Sequence, residues 1–154
     1  MKDQRSHITI LLADDDEEDR MLACDALMES RLSNVVNCVE DGEELMDYLY
    51  HRGKYSPPAA APRPGLILLD LNMPRKDGRE ALREIKADPQ LRLIPIVVMT
   101  TSKAEEDIYQ SYDSGASSFI SKAVTFEGLV QVMKGLGRYW FEIVDLPGSE
   151  DKRT

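Results

Sequence analysis

The chain has 154 residues, 42% of them hydrophobic and 31% charged, which suits one soluble globular domain with a real core and leaves two domains cramped. A formal net charge of -9 opposes binding to nucleic acid or an anionic membrane, since no basic stripe is there to neutralise phosphates. The apolar runs are strand-length and the chain opens Met1-Lys2-Asp3-Gln4-Arg5, so neither a signal peptide nor a membrane span is expected, and a cytoplasmic location is.

In chain order, the run Ile8 to Ala13 predicts a first strand that stops on Asp14-Asp15-Asp16. Residues 17 to about 30 read as a helix, with acids in its first turn and Met21, Cys24, Leu27 and Met28 spaced for one buried face. Asp16, Glu17, Glu18 and Asp19 read as a solvated helix start rather than as ligands. Val35 to Val39 predicts a short second strand, and the helix after Glu40-Asp41-Gly42 turns Leu45, Met46 and Leu49 inward, fading near His51-Arg52-Gly53. The proline-rich stretch 54–64 predicts an extended, exposed connection with polyproline character.

Leu66-Ile67-Leu68-Leu69-Asp70 is too short for a helix with its own core face, and Pro64-Gly65 and Pro74 punctuate both ends, so it predicts a buried strand ending on a carboxylate. A helix from Asp77-Gly78 carries Ala81, Leu82 and Ile85 and stops before Pro89. Ile94 to Met99 predicts a fourth strand ending on Thr100-Thr101-Ser102, residues 104 to about 114 a helix, and Ser118 to Ser121 a fifth strand ending on Lys122. Thr125 can cap a last helix whose Phe126, Leu129, Val130, Met133 and Leu136 follow amphipathic spacing.

Strands alternating with helices predict an α/β fold with a doubly wound, five-stranded parallel sheet, whose right-handed crossovers place every strand's carboxyl end on one edge. That edge would collect Asp14, Asp15, Asp70, Thr100 and Lys122. Three carboxylates held together need a cation or protons to neutralise them. Magnesium suits hard oxygen ligands shared with a phosphate, while a lysine and a threonine hydroxyl supply further donors to phosphate oxygens. The set describes phosphoryl transfer to an aspartate, a reaction governed by positioning and charge neutralisation. Taken alone, Asp70 could equally cap the following helix, and Thr100 and Thr101 could be plain strand-end hydroxyls.

Asp14-Asp15, Asp70 with Asn72-Met73-Pro74 and Asp77-Gly78, Thr100 and Lys122 together resemble the receiver domain of bacterial two-component response regulators, over about residues 8–138. The resemblance implies a (βα)5 flavodoxin-like receiver fold in which Asp70 accepts a phosphoryl group from the phosphohistidine of a sensor histidine kinase. It implies Mg2+ held by Asp14, Asp15, Asp70 and the Asn72 carbonyl, a hydrogen bond from Thr100 to the phosphoryl group, and Lys122 paired with Asp70 or the phosphate. Phe119 stands where the family has its aromatic switch, coupled to Thr100; its alternative is simple core. The proline-rich connection and the ending Arg138 to Pro147 resemble, more narrowly, the single-domain regulators partnered with bacterial phytochromes. The expected organisation is a receiver domain over 1–147, with an extension at 139–147, and a disordered tail at 148–154 without an output domain.

Tyr139, Trp140, Phe141, Ile143 and Val144 form an apolar cluster with little chain left to cover it, which marks an interface or packing against the last helix. The resemblance implies a homodimer through the fourth helix, fifth strand, fifth helix and this extension. Two departures stand out. Ala123 replaces the family's proline after Lys122, and a cis bond there would cost about 2.5 to 4 kcal/mol. Thr101 replaces a smaller residue, which predicts slow autodephosphorylation by shielding an acyl phosphate, an expectation that a phosphoryl half-life of seconds would sink. The protein is accordingly expected to be a phosphoacceptor rather than a turnover enzyme. The other readings are a receiver-fold interaction module without phosphorylation and a magnesium-dependent aspartyl-phosphate phosphatase, whose Asp-x-Asp pattern the first acids lack. Cys24 and Cys38 lack metal-ligand spacing and read as small buried thiols, and His7 and His51 as unpaired surface residues.

Overall fold

The structure is a computed structural model that describes residues 9–29, 35–100, 113–121 and 126–137. Its elements are β1 (Thr9–Ala13), α1 (Glu17–Glu29), β2 (Val35–Val39), α2 (Gly42–Tyr50), a 3-10 turn (Gly53–Tyr55), β3 (Leu66–Leu69), α3 (Gly78–Ala87), β4 (Ile96–Thr100), β5 (Ser118–Ser121) and α4 (Phe126–Gly137). The helix expected over 104–114 lies almost wholly outside the described residues, as does the extension after residue 137.

All five strands run parallel in the order β2-β1-β3-β4-β5. Parallel strands are covered on both faces, which is why Leu66 to Leu69 are all fully buried. Strand alternation splits the core in two. Leu11, Ala13, Ile67, Leu69, Ile96 and Val98 face α2 and α3, while Ile10, Leu12, Leu66, Leu68, Val97 and Met99 face α1 and α4. Among the described residues no helix is long and apolar enough to cross a membrane.

The caps that start the helices are side chains adjoining the sheet's carboxyl edge. Asp16 Oδ1 accepts from the Glu18 and Asp19 amides at 2.9 and 3.2 Å, as a solvated helix start should. Asp41 accepts from Glu44 N at 2.7 Å, and Asp77 with Glu80 forms a full capping box at the start of α3.

Five expectations need correction. In α1 the buried residues are Ala23, Ala26 and Leu27, whereas Met21 and Met28 are 59% and 71% exposed. Apolar residues surround this helix, so periodicity could not select a face, and the small alanines pack inward beside Leu27. Phe126, expected inward, is 38% exposed at the start of α4. Cys24 is half-buried and Cys38 exposed rather than buried, because β2 is an edge strand covered on fewer sides. The proline-rich stretch is neither wholly extended nor exposed: it makes the 3-10 turn, and Ala61 and Pro64 are buried. Its carbonyls are taken up by α2, where Tyr48 Oη donates to Pro62 O at 2.8 Å and His51 Nε2 lies 2.8 Å from Ala61 O. His51 is exposed but engaged, and it closes α2 in the left-handed region at φ 56°.

Glu44 ties this region together. Tyr55 Oη donates to it at 2.6 Å, Lys54 Nζ pairs with it at 2.9 Å, and the Glu40 amide donates at 2.8 Å. Burial pushes the Glu44 carboxyl up, but the hydrogen bonds from Tyr55, Lys54 and Glu40 outweigh it and hold the group below the usual carboxylate range. A depressed carboxylate stabilises the fold above its unfolded pKa, and that contribution is lost as pH falls through the folded value. Tyr55→Phe is therefore expected to cost about 1 kcal/mol at neutral pH. The difference from wild type should shrink as urea unfolding is repeated down through the carboxylate range, and a gap that widens in acid would contradict this.

Candidate functional site

The chain leaves β1 for β2 on one side and later places β3 on the other side of β1, so the switch point of the sheet lies between β1 and β3. Ala13 and Leu69 are register partners, and each strand's next residue is an aspartate. The Asp70 amide donates to Ala13 O at 2.9 Å and the Asp14 amide to Val39 O at 3.1 Å, which pins both backbones at the edge. The result is a cluster in which Asp14, Asp15 and Asp70 each offer a carboxylate oxygen within 4.8 Å of the others. Asp14 and Asp70 are 3% and 5% exposed, and Asp15 is exposed.

Local turns aim these groups. Asp14 Oδ1 accepts from Asp16 N at 3.0 Å, and Asp70 Oδ1 accepts from Asn72 N at 3.2 Å. Both are Asx-type bonds, and they orient carboxylates crowded together at the sheet edge, those of Asp14 and Asp70 buried. Two buried carboxylates at this spacing repel one another, and a divalent cation with hard oxygen preferences satisfies the arrangement. The residues present therefore fit such an ion, with Asp14, Asp15 and Asp70 as its holders and the exposed Asn72 adjoining them in the β3–α3 turn.

This geometry fixes a sign for one substitution. Two unit charges about 5 Å apart repel by about 3 kcal/mol at an effective dielectric of 20, and less where Asp15 opens to water. Asp14→Asn is expected to make the protein more stable in chelator, by about 1 to 2 kcal/mol, while nearly abolishing the stabilisation that a divalent cation gives wild type. Urea unfolding with and without the cation reads both effects, and a variant less stable than wild type in chelator would contradict the repulsion.

The remaining expected site residues are placed unevenly. Thr100 ends β4 opposite Ser121, at the same edge of the sheet. Phe119 pairs with Val98 in register and is partly buried against the core on the α2 and α3 side. Lys122, Thr101 and Ala123 lie outside the described residues, as do Tyr139, Trp140, Phe141, Ile143 and Val144.

Several contributors carried no signal in the sequence. Arg20, inside α1, donates from Nη1 to Asp14 O at 2.8 Å. Arg79 Nη1 lies 3.2 Å from both Asp77 carboxylate oxygens and reaches Asn72 Oδ1 at 3.4 Å, bracing the turn after Asp70. Arg75 adopts φ 67° in that turn and pairs with Asp41 at 3.6 Å and Glu43 at 3.7 Å, fastening it to the start of α2. Gly42 and Gly78, readable only as turn residues, are points of backbone contact: a Cβ at Gly42 would lie 2.0 Å from Lys76 O, and one at Gly78 would lie 2.2 Å from Asp70 O. An arginine six residues after an acid, or a glycine at a helix start, is too common a pattern to have flagged these roles.

Comparison with known proteins agrees with this geometry. Residues 10–134 match the family model described as the response regulator receiver domain. The chain is 39% identical over 140 residues to response regulator Rcp1 of Synechocystis sp. (strain ATCC 27184 / PCC 6803 / Kazusa), covering 91% of this chain and 93% of that protein. Among solved structures, it resembles the phosphorylated cyanobacterial phytochrome response regulator RcpA with TM-score 0.82 and 45% identity, covering 92% of this chain and 99% of that one. The Mn(2+)-bound form of Rcp1 gives TM-score 0.80 at 39% identity, covering 91% and 99%.

Proposed function

The chain belongs to the response regulator receiver domain family, and on that premise we propose that it is a phytochrome-type response regulator that accepts a phosphoryl group on Asp70 from a sensor histidine kinase, with Mg2+. The observation that carries this reading is the trio of Asp14, Asp15 and Asp70 at the switch point of the sheet. A relative solved in phosphorylated form and another with Mn2+ bound support it.

In the proposed reaction an Asp70 carboxylate oxygen attacks the phosphorus of the donor phosphohistidine. The new O–P bond forms as the N–P bond breaks, and the histidine leaves with its nitrogen lone pair. Asp14, Asp15 and Asp70, with the Asn72 carbonyl, would hold Mg2+, which when bound would neutralise charge on the phosphoryl oxygens. Thr100 donates a hydrogen bond to the phosphoryl group, Lys122 pairs with it, and Phe119 follows Thr100 as the switch. The bond from the Asn72 amide orients the Asp70 carboxylate, and the largely buried position excludes bulk water from the acyl phosphate. The protein works as a phosphoacceptor, in the cytoplasm, and its partner is a kinase of phytochrome type. It pairs as a homodimer through the segment 104–114, β5, α4 and the extension bearing Tyr139, Trp140, Phe141, Ile143 and Val144; scattering that reports a monomer at high concentration would remove that part.

Intact mass after incubation with acetyl phosphate tests the central claim. One phosphoryl adduct is expected with Mg2+ and none with chelator, and peptide mapping should locate it on Asp70. An adduct that forms equally well without a divalent cation, or no adduct at all, would overturn the reading.

A further inference from the structure

Cys24 on α1 and Cys38 on β2 bring their sulfurs to 3.9 Å, across the packing of the helix on the edge strand. Both are free thiols. A disulfide needs an S–S separation of about 2.05 Å, so an approach of about 2 Å closes it, a distance that rotation about Cα–Cβ can cover. The ring would span a short stretch of chain, residues 24–38. The surroundings hold the two sulfurs together. Cys38 is the register partner of Leu12, and the next residue, Val39, accepts from the Asp14 amide. Cys24 lies one helical turn beyond Arg20, which grips Asp14 O. Helix and strand are thus both tied to the backbone of Asp14 at the exit of β1, the strand through its amide and the helix through its carbonyl, and the thiols face each other over that anchored corner.

We propose that Cys24 and Cys38 form a reversible intramolecular disulfide by exchange with a low-molecular-weight disulfide of the glutathione type. Cys38, the more exposed thiol, reacts first: its thiolate attacks one sulfur of glutathione disulfide, forming a mixed disulfide and expelling a glutathione thiolate that takes up the proton Cys38 released. Cys24 then gives up its proton and attacks Cys38 Sγ, forming the Cys24–Cys38 bond and expelling the second glutathione. Two protein thiols are oxidised and one glutathione disulfide is reduced to two thiols. Burial and the neighbouring Cys24 push the Cys38 thiol up to about 12, so its thiolate is scarce at neutral pH and the exchange is slow there, quickening as pH rises.

The whole chain incubated with glutathione disulfide, then quenched in acid and alkylated, tests this. Wild type is expected to lose two hydrogens by intact mass, to yield a peptide pair joined through positions 24 and 38 in a non-reducing digest, and to revert with excess reduced glutathione. Cys24→Ser should stop at the mixed disulfide on Cys38. Folded wild type should reach ring closure at an effective thiol concentration at least about tenfold above that of the same chain in urea, because the fold holds the sulfurs in contact. Wild type that stops at the mixed disulfide, links between two chains, or closes no better folded than unfolded would overturn the proposal.

Discussion

Asp70→Asn is expected to abolish the Mg2+-dependent phosphoryl adduct completely, not merely to slow its formation. The amide keeps the size of the carboxylate and keeps an oxygen that can accept from the Asn72 amide at the observed 3.2 Å, so the β3–α3 turn should survive. What the variant loses is the anionic oxygen that attacks phosphorus. The same change removes one of three mutually repelling charges, and in chelator the variant should be as stable as wild type or more stable by about 1 kcal/mol. Intact mass and urea unfolding on one preparation read both effects. A stable, folded variant without the adduct separates chemistry from folding. An adduct that persists would place the acceptor on another residue, Asp14 or Asp15 first, and would require the roles in the cluster to be reassigned.

Gly78→Ala should be among the most damaging single methyls in the described part of the molecule, beside Gly42→Ala, whose added Cβ also meets backbone. Gly78 opens α3, and its amide donates to Leu71 O at 2.9 Å, drawing the helix start onto the residues that follow β3. An added Cβ would sit 2.2 Å from Asp70 O and 2.7 Å from Leu71 Cα. Both obstacles are backbone, so no side chain can swing aside and α3 or the Asp70 turn must move. Alanine's better helix propensity recovers at most about 1 kcal/mol. Overpacking commonly costs 1 to 3 kcal/mol, and an obstacle that cannot relax lies at the upper end, so a net loss of about 3 kcal/mol and roughly 10 °C in Tm is expected. Because the displaced atom belongs to Asp70, phosphoryl uptake should fall by about 100-fold as well, the usual penalty for a reacting group misplaced by about 1 Å. Gly135→Ala is the control: nothing lies within 4 Å of its added Cβ, and the change should stabilise α4 by about 0.5 to 1 kcal/mol. If Gly78→Ala melts with wild type and takes up phosphate normally, the close approach of α3 to Asp70 is not a constraint.

The sequence alone was enough to place the strands and the acids at their ends. Runs such as Leu66 to Leu69 are apolar without interruption because parallel strands are buried on both faces, and each stops abruptly where the chain emerges at the carboxyl edge. A carboxylate directly after such a run has little choice of position, so Asp14 and Asp70 were legible before any coordinates, as was the motif set that marks the family. Local pattern also specified the starts of α2 and α3, since capping is a contact between residues three or four apart.

Only the tertiary structure decided which face of α1 is buried, because methionines, leucines and alanines surround that helix and the sheet selects among them by shape. It likewise turned the proline-rich stretch back onto Tyr48 and His51, set the Cys24 and Cys38 sulfurs 3.9 Å apart, and brought Arg20, Arg75 and Arg79 to the loops that carry the acids. The physical reason is common to all of these. Periodicity records what each residue gains from burial within its own element, whereas these contacts join elements distant in sequence, and their geometry exists only once the strand order has placed β1 beside both β2 and β3.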